Sequence, residues 1–251
     1  MKADCYWRHR ECHERRGIII KPHQDTGAKM KKYNVEFNKF LAAVAFVFIA
    51  IHQAAASTFT FTNPAPVTIN DFGPASPYPA TITISGLTAA ILDVNVVLNG
   101  LSHTFPSDIG VLLVGPGGQK VVLMDGAGGS NPISNVNLVF DDEASSGLPS
   151  SGPLSSGSFR PTNFFPADVF DPPALAAGPY GSLLSVFDNT LGNGTWSLFV
   201  RDFFAGDGGS LSGGFGLQVT TPQLTTPEPS TFMLYGLGLI VLASLLRRRL
   251  R

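Results

Sequence analysis

Short strand patterns recur throughout residues 57–226 and leave few architectures open to this chain. Residues 58–62 and 81–84 alternate threonine with an apolar side chain, as strands with one buried face do. Comparable patterns lie at residues 94–98, 136–140, 196–201 and 215–219, and more continuous apolar runs lie at 109–114 and 120–124. Turn signals separate them, and no convincing amphipathic helix interrupts them. Roughly nine or ten strands of this kind predict an all-β protein, a jelly-roll-like antiparallel β-sandwich.

One long segment, residues 144–180, lacks strand patterns and is rich in serine, proline and glycine. Its large aromatic residues are Phe159, Phe164, Phe165, Phe170 and Tyr180. Loops this long inside a domain are functional or disordered, and large aromatics are normally buried. We expect the segment to pack over the sandwich as a lid. An exposed recognition surface is the alternative.

The charge distribution excludes one class of function. Between residues 57 and 226 the basic residues are Lys120, Arg160 and Arg201, against 12 acidic residues, whereas 10 of the 17 lysines and arginines lie in residues 1–39. An acidic body cannot neutralise a phosphate backbone, so nucleic acid is not an expected partner. Both cysteines precede this body, which therefore has no disulfide and no thiol chemistry.

Residues 30–56 are typical of a secretory signal peptide. Lysines precede an unbroken apolar run over residues 40–51, and small residues including Ala54 and Ala56 then offer a cleavage site before Ser57. The run is short for a membrane span, and a buried helix or a membrane anchor is the alternative. Residues 1–29 are then expected to be a disordered, over-extended start, with translation beginning at Met30.

The C-terminal segment, residues 227–251, has three parts in a fixed order. They are Pro227, Glu228, Pro229 and Ser230, then an apolar stretch over residues 231–246, then Arg247, Arg248 and Arg249. At 1.5 Å per residue the stretch is about 24 Å long, and snorkelling arginines help a stretch this short to span. We predict a single transmembrane helix, with the arginines in the cytoplasm and the acidic body outside.

This tail resembles the PEP-CTERM sorting signal of Gram-negative bacteria in order, spacing and position. The resemblance implies recognition by an exosortase-type membrane transpeptidase and cleavage near the Pro-Glu-Pro motif. It also implies passage through the inner membrane to the cell-envelope surface or to the extracellular matrix of a biofilm. An ordinary C-terminal anchor behind a Pro-x-Pro turn is the alternative.

The body carries a second resemblance, in two groups of motifs about 90 residues apart. The first group is Leu-Ser-His-Thr at 101–104, Ser-Asp-Ile at 107–109 and Leu-Val-Gly-Pro-Gly-Gly at 113–118. The second is Gly-Asn-Gly-Thr-Trp-Ser-Leu at 192–198, Val-Arg-Asp at 200–202 and Gly-Asp-Gly-Gly-Ser-Leu at 206–211. Together they resemble the P (Homo B) domain of proprotein convertases, except that Phe215 stands where that family usually has tryptophan. The resemblance implies a jelly-roll β-sandwich.

Few groups in the body suit catalysis. His103 is its sole imidazole, and no Gly-x-Ser-x-Gly elbow accompanies it, so we interpret it as a hydrogen-bonded structural residue. Asp141, Asp142 and Glu143 are adjacent on one loop, whereas a glycosidase needs two carboxylates that face each other across a cleft. We expect no catalytic residues and no enzyme. A secreted hydrolase that uses these carboxylates is the alternative.

The same acids suggest calcium as the one cofactor to consider. Calcium binds six to eight oxygens from loop carboxylates and carbonyls, and Asp141, Asp142 and Glu143 form the densest acidic cluster. Asp108 would join them if both lie at one end of the sandwich. The alternative is a solvated acidic rim, since no EF-hand pattern is present.

These observations predict an exported, envelope-sorted, non-enzymatic protein with a structural or adhesive role. The expected partners are an exosortase-type transpeptidase, the membrane through the C-terminal helix, and extracellular polysaccharide or another matrix protein. Two alternatives stay open: the hydrolase described above, and a stand-alone partner domain for a separate subtilisin-like protease.

Overall fold

The computed structural model describes residues 55–174, 180–223 and 229–249. Its strands are β1 (Ala56–Asn63), β2 (Val67–Ile69), β3 (Gly73–Pro74), β4 (Ala80–Ile84), β5 (Asp93–His103), β6 (Ile109–Val114), β7 (Lys120–Asp125), β8 (Ile133–Phe140), β9 (Gly157–Phe159), β10 (Thr162–Asn163), β11 (Gly194–Asp202), β12 (Gly209–Leu211) and β13 (Phe215–Pro222). Within these ranges the helices are two 3-10 helices, Pro106–Asp108 and Leu184–Phe187, and one α-helix, α1 (Pro229–Arg249).

The strands form two sheets. The first has the order β1-β13-β5-β12-β2, with β8 on the other side of β5 and β9 beyond β8. The second has the order β10-β7-β6-β11-β3, with β4 also beside β11. Every pair is antiparallel except β8–β9 and β7–β10. The predicted all-β, two-sheet architecture is confirmed, and the jelly-roll connectivity stays a prediction.

The main core lies between the two sheets. It combines side chains of β5 and β13 from the first sheet with side chains of β6, β7 and β11 from the second. The largest fully buried side chains are Trp196, Phe140, Phe187 and Phe215. Trp196 also donates its indole N–H to the Gly192 carbonyl over 2.9 Å, so its polar atom is satisfied inside the core.

The continuously apolar runs become strands that are buried on both faces. All six residues of β6 are buried, and so are five of the six in β7. Their inward side chains join the main core, whereas Leu112, Val114 and Val122 face a second, outer cluster. This explains why their sequences do not alternate.

The outer cluster is formed in part by the segment 144–180. Phe170 is only 3% exposed and meets Tyr180 and Phe203 edge to face, with ring centroids 5.7 Å apart in each pair. A Cβ at Gly110 would lie 2.5 Å from the Phe203 ring and 3.0 Å from the Phe170 ring. The absence of a side chain at Gly110 therefore allows these two rings to pack against β6. The expected packing over the sandwich is found for this part of the segment.

The same segment also exposes aromatic surface. Phe164 and Phe165 are 41% and 44% exposed, in contrast to the expectation that these rings pack inward. Their position is fixed by the backbone: the Phe164 N–H donates to the Asp125 carbonyl over 2.9 Å, and the Phe165 N–H donates to Asn163 Oδ1 over 3.0 Å. Residues 175–179 lie outside the described residues.

The C-terminal segment corrects one prediction. Residues 229–249 form a helix, but in the described ranges no helix has both the length and the apolar character that crossing a membrane requires. The predicted transmembrane helix over residues 231–246 is therefore not supported. The physical reason is its length, since about 24 Å of apolar helix is shorter than a hydrocarbon core of about 30 Å. The predicted signal peptide, apart from its last two residues, lies outside the described residues.

Candidate functional site

A buried histidine–carboxylate pair joins the two sheets. His103 ends β5 in the first sheet and Asp202 ends β11 in the second. His103 Nε2 lies 3.2 Å from Asp202 Oδ2, and neither side chain is exposed. The Phe105 N–H donates to His103 Nδ1 over 3.2 Å, so the ring proton lies on Nε2 and is donated to the carboxylate. His103 is buried and hydrogen-bonded as predicted, and its purely structural role stays a prediction.

The surroundings of this pair enclose both side chains. Asp202 Oδ1 accepts the Phe204 N–H over 2.9 Å. Burial raises the pKa of Asp202, although that N–H and His103 act in the opposite direction. A Cβ at Gly209 would lie 2.6 Å from His103 Cδ2, so the β12 backbone seals the imidazole from that side. The hydrogen bond between His103 and Asp202 therefore links the two sheets.

Asp108 lies at the same end of the sandwich as this pair. Its carbonyl accepts the Phe203 N–H over 2.8 Å, and its side chain is nearly buried. Burial, together with the negative charges of Asp202 and Asp207, raises the pKa of Asp108. Asp207 itself accepts a 2.5 Å hydrogen bond from the Thr104 hydroxyl.

The acidic triplet at residues 141–143 serves local structure. Asp142 Oδ1 accepts the Leu184 N–H over 3.0 Å, and Asp142 Oδ2 accepts the Ser185 N–H over 2.9 Å. Both carboxylate oxygens therefore cap the start of the 3-10 helix Leu184–Phe187. Asp141 Oδ1 accepts the Glu143 N–H over 2.8 Å, which closes a turn within the triplet.

The structure does not bring Asp108 to this triplet. Phe140, just before the triplet, pairs with Val96 near the start of β5, whereas Asp108 follows the far end of β5. The 11 residues of β5 place roughly 30 Å between the two ends. The acid near the triplet is instead Asp93, whose pKa is raised by burial and by the charges of Asp141 and Asp142.

The predicted calcium ligands Asp108, Asp141, Asp142 and Glu143 therefore do not form one site. Within the described ranges no group of three or more histidine, cysteine, aspartate or glutamate side chains is arranged to hold a metal ion. The two acids with the clearest local roles, Asp141 and Asp142, already accept backbone N–H groups.

Asp125 is a buried carboxyl group that no local sequence pattern distinguishes from the other acids at strand ends. It ends β7, is 1% exposed, and its Oδ1 atom has no hydrogen-bond partner in the described part of the chain. Burial, and secondarily the negative charge of Asp168, raises its pKa to about 7. The Asp125 carbonyl accepts the Phe164 N–H over 2.9 Å, so residues of the segment 144–180, distant in sequence, lie against this end of β7.

The sorting residues fall partly within the described ranges. Pro227 and Glu228, like Ala54, lie outside them. Pro229 and Ser230 begin α1, and Arg247, Arg248 and Arg249 end it, with Arg247 and Arg248 exposed. Ala56, the residue before the predicted signal cleavage, begins β1 and pairs with Pro222.

Comparisons with known proteins identify the sorting motif in the C-terminal segment and identify no family for the sandwich. Residues 225–249 match the PEP-CTERM protein-sorting motif. No curated protein matches the chain.

Two solved structures show a remote likeness. The serine protease of Aeromonas sobria in complex with its chaperone ORF2 has 16% identity and a TM-score of 0.32, over 71% of this chain and 29% of that chain. The serine protease of Aeromonas sobria alone has 15% identity and a TM-score of 0.30, over 70% of this chain and 29% of that one. This chain thus spans less than a third of the length of those chains. The resemblance to the P domain stays a prediction. The matched motif over residues 225–249 indicates a protein that is exported and sorted to the cell envelope.

Proposed function

We propose that the protein is a non-enzymatic structural or adhesive component of the cell surface or the exopolysaccharide matrix, processed by an exosortase-type transpeptidase. One observation carries the proposal: the sorting motif over residues 225–249 follows directly on β13, which ends at Pro222. The signal that the sorting enzyme recognises thus follows the last strand of the sandwich along the chain.

The polar groups of the body support a non-catalytic role. The sole imidazole, His103, is fully buried against Asp202. The Asp142 carboxylate accepts hydrogen bonds from two backbone N–H groups, and the Asp141 carboxylate accepts one from a third. A general acid or base must contact its substrate, and these groups are directed at the protein's own backbone and core.

A surface for a ligand lies on two loops at the Asp202 end of the sandwich. Phe72 and Phe204 are 63% and 55% exposed. Their loops are joined by the Gly206 N–H, which donates to Asp71 Oδ1 over 2.8 Å. Exposed aromatic rings beside carboxylates offer apolar faces and hydrogen-bond acceptors together, a combination that suits sugar rings and their hydroxyl groups. We assign polysaccharide binding to this surface.

The test is co-sedimentation of the protein with exopolysaccharide purified from the cells that produce it. Wild type should sediment with the polymer, and a Phe72→Ser, Phe204→Ser double variant should not. A Phe164→Ser, Phe165→Ser variant, altered at similarly exposed rings elsewhere, is the matched control and should sediment like wild type. Shortening of the polymer by the wild-type protein would show a hydrolase instead, and stoichiometric co-purification with a subtilisin-like enzyme would show a protease partner.

A further inference from the structure

Strand β1 forms a long sheet edge. It pairs with β13 over eight consecutive residues without a register shift, from Ala56 opposite Pro222 to Asn63 opposite Phe215. In the described part of the chain no strand pairs with its other side. A strand of this length with one unpaired side presents a row of free backbone N–H and C=O groups.

The hydrogen-bond pattern identifies which residues supply that row. The Gln223 N–H donates to the Ala55 carbonyl over 2.7 Å, which makes Ala55 and Gln223 a hydrogen-bonded pair. Such pairs alternate along an antiparallel ladder, so the odd-numbered residues of β1 bond to β13. The even-numbered residues direct their N–H and C=O groups away from β13; these are Ala56, Thr58, Thr60 and Thr62.

The usual protections of a sheet edge are missing from β1. Its sequence contains no charged residue and no proline, and its ladder contains no bulge. The other edges are shorter or partly bonded: β4 has five uncharged residues, and the Asn63 side chain donates to its Thr81 carbonyl over 2.9 Å. β2 has only three residues, and two hydrogen bonds of 2.9 and 2.8 Å join Thr68 to Ser76. Likewise β9 covers β8, and β10 covers β7.

The sequence of this edge is the same in both directions. Thr58-Phe59-Thr60-Phe61-Thr62 is a palindrome centred on Thr60. An antiparallel pair of two such strands therefore places threonine opposite threonine and phenylalanine opposite phenylalanine. No charge on the strand opposes the approach of an identical strand, and none selects a foreign one.

We propose that β1 pairs with β1 of a second copy of this chain, antiparallel, about a two-fold axis at Thr60. Thr60 then forms a hydrogen-bonded pair with its own counterpart, and Thr58 forms one with Thr62 of the second copy in each direction. This register uses only residues 57–63, so it holds whether or not the chain is cut before Ser57.

The pairing also accounts for an exposed ring. Phe59 is 44% exposed, although it lies on the same strand face as Phe61, which packs against the core. In the proposed register Phe59 lies opposite Phe61 of the second copy, and the reverse pair forms on the other side of the axis. Directly opposite aromatic side chains stabilise antiparallel pairs, so each Phe59 gains the cover it lacks in one copy.

Sedimentation velocity of the full chain over a range of concentrations tests the proposal. Wild type should form dimers as concentration rises. Thr60→Lys places two like charges opposite each other and should weaken dimerisation about fivefold. Thr60→Pro should weaken it roughly tenfold, because it removes an outward N–H from each copy and no bond to β13.

Thr68→Lys is the matched control, an exposed threonine in the opposite, covered edge of the same sheet, and its dimerisation should equal that of wild type. Hydrogen exchange should slow at the Thr58, Thr60 and Thr62 amides as the dimer forms. Circular dichroism spectra that match wild type verify folding of each variant. A monomer at every concentration, or self-association that the two Thr60 variants leave unchanged, overturns the proposal.

Discussion

Replacing Asp125 with asparagine should change the pH dependence of stability. Asp125 is 1% exposed, and its pKa rises from 3.8 to about 7 in the folded protein. The folded state therefore holds the proton more tightly than the unfolded chain does. The stabilising effect of this proton is fully present below about pH 4 and is lost as the pH rises through 7. At 1.36 kcal/mol per pKa unit, the ionised carboxylate costs about 4 kcal/mol above that pH.

Asparagine keeps the shape of Asp125 and never ionises. The asparagine amide hydrogens would lack hydrogen-bond partners at this buried position. This cost offsets about 1–3 kcal/mol of the stability gained by removing the ionised carboxylate. Asp125→Asn should therefore be about 1–3 kcal/mol more stable than wild type at pH 8 and less stable at pH 4. In a domain of this size each kcal/mol shifts Tm by about 2–4 °C.

Thermal unfolding, followed by circular dichroism at pH 4, 6 and 8, measures this difference. Wild type measured at the same three pH values is the reference, because the two proteins differ in this one ionisable group. A Tm difference between Asp125→Asn and wild type that stays constant from pH 4 to pH 8 would refute the reasoning.

Three further substitutions test the packing. Asp202→Ala leaves the buried His103 Nε2–H without its acceptor, and urea unfolding should show a loss of about 3 kcal/mol. Gly110→Val pushes a side chain into the Phe170 ring, which should cost about 1–3 kcal/mol and speed proteolysis of the segment 144–180. Asp142→Ala removes the cap of the second 3-10 helix, and hydrogen exchange should accelerate at its first two amides, with a stability loss of about 1–2 kcal/mol.

The strands were predictable because their signals are local. Alternation at residues 58–62 and 81–84 gave β1 and β4, and the continuous apolar runs gave β6 and β7, buried on both faces. The short strands β3 and β10 were not predictable, since two residues carry no periodicity. They exist because neighbouring long strands supply the hydrogen-bond partners.

The site was less predictable because its contacts join distant parts of the chain. Asp142 and Leu184 are 42 residues apart, and His103 and Asp202 are 99 apart. The sequence predicted that His103 is hydrogen-bonded, but no local pattern indicated that its partner would come from the other sheet. The predicted calcium site required Asp108 and the acidic triplet at residues 141–143 to lie at one end of the sandwich. The register of β5 against β8 places them at opposite ends.

The central claim is that the two ends of the chain direct export and sorting while the middle persists as the mature protein. Mass spectrometry of both termini, on protein recovered from the envelope and matrix of the producing cells, tests it most directly. We predict an N-terminus at Ser57 and a C-terminus near Pro227. A full-length product with both ends intact, recovered from the cytosol, would contradict the account.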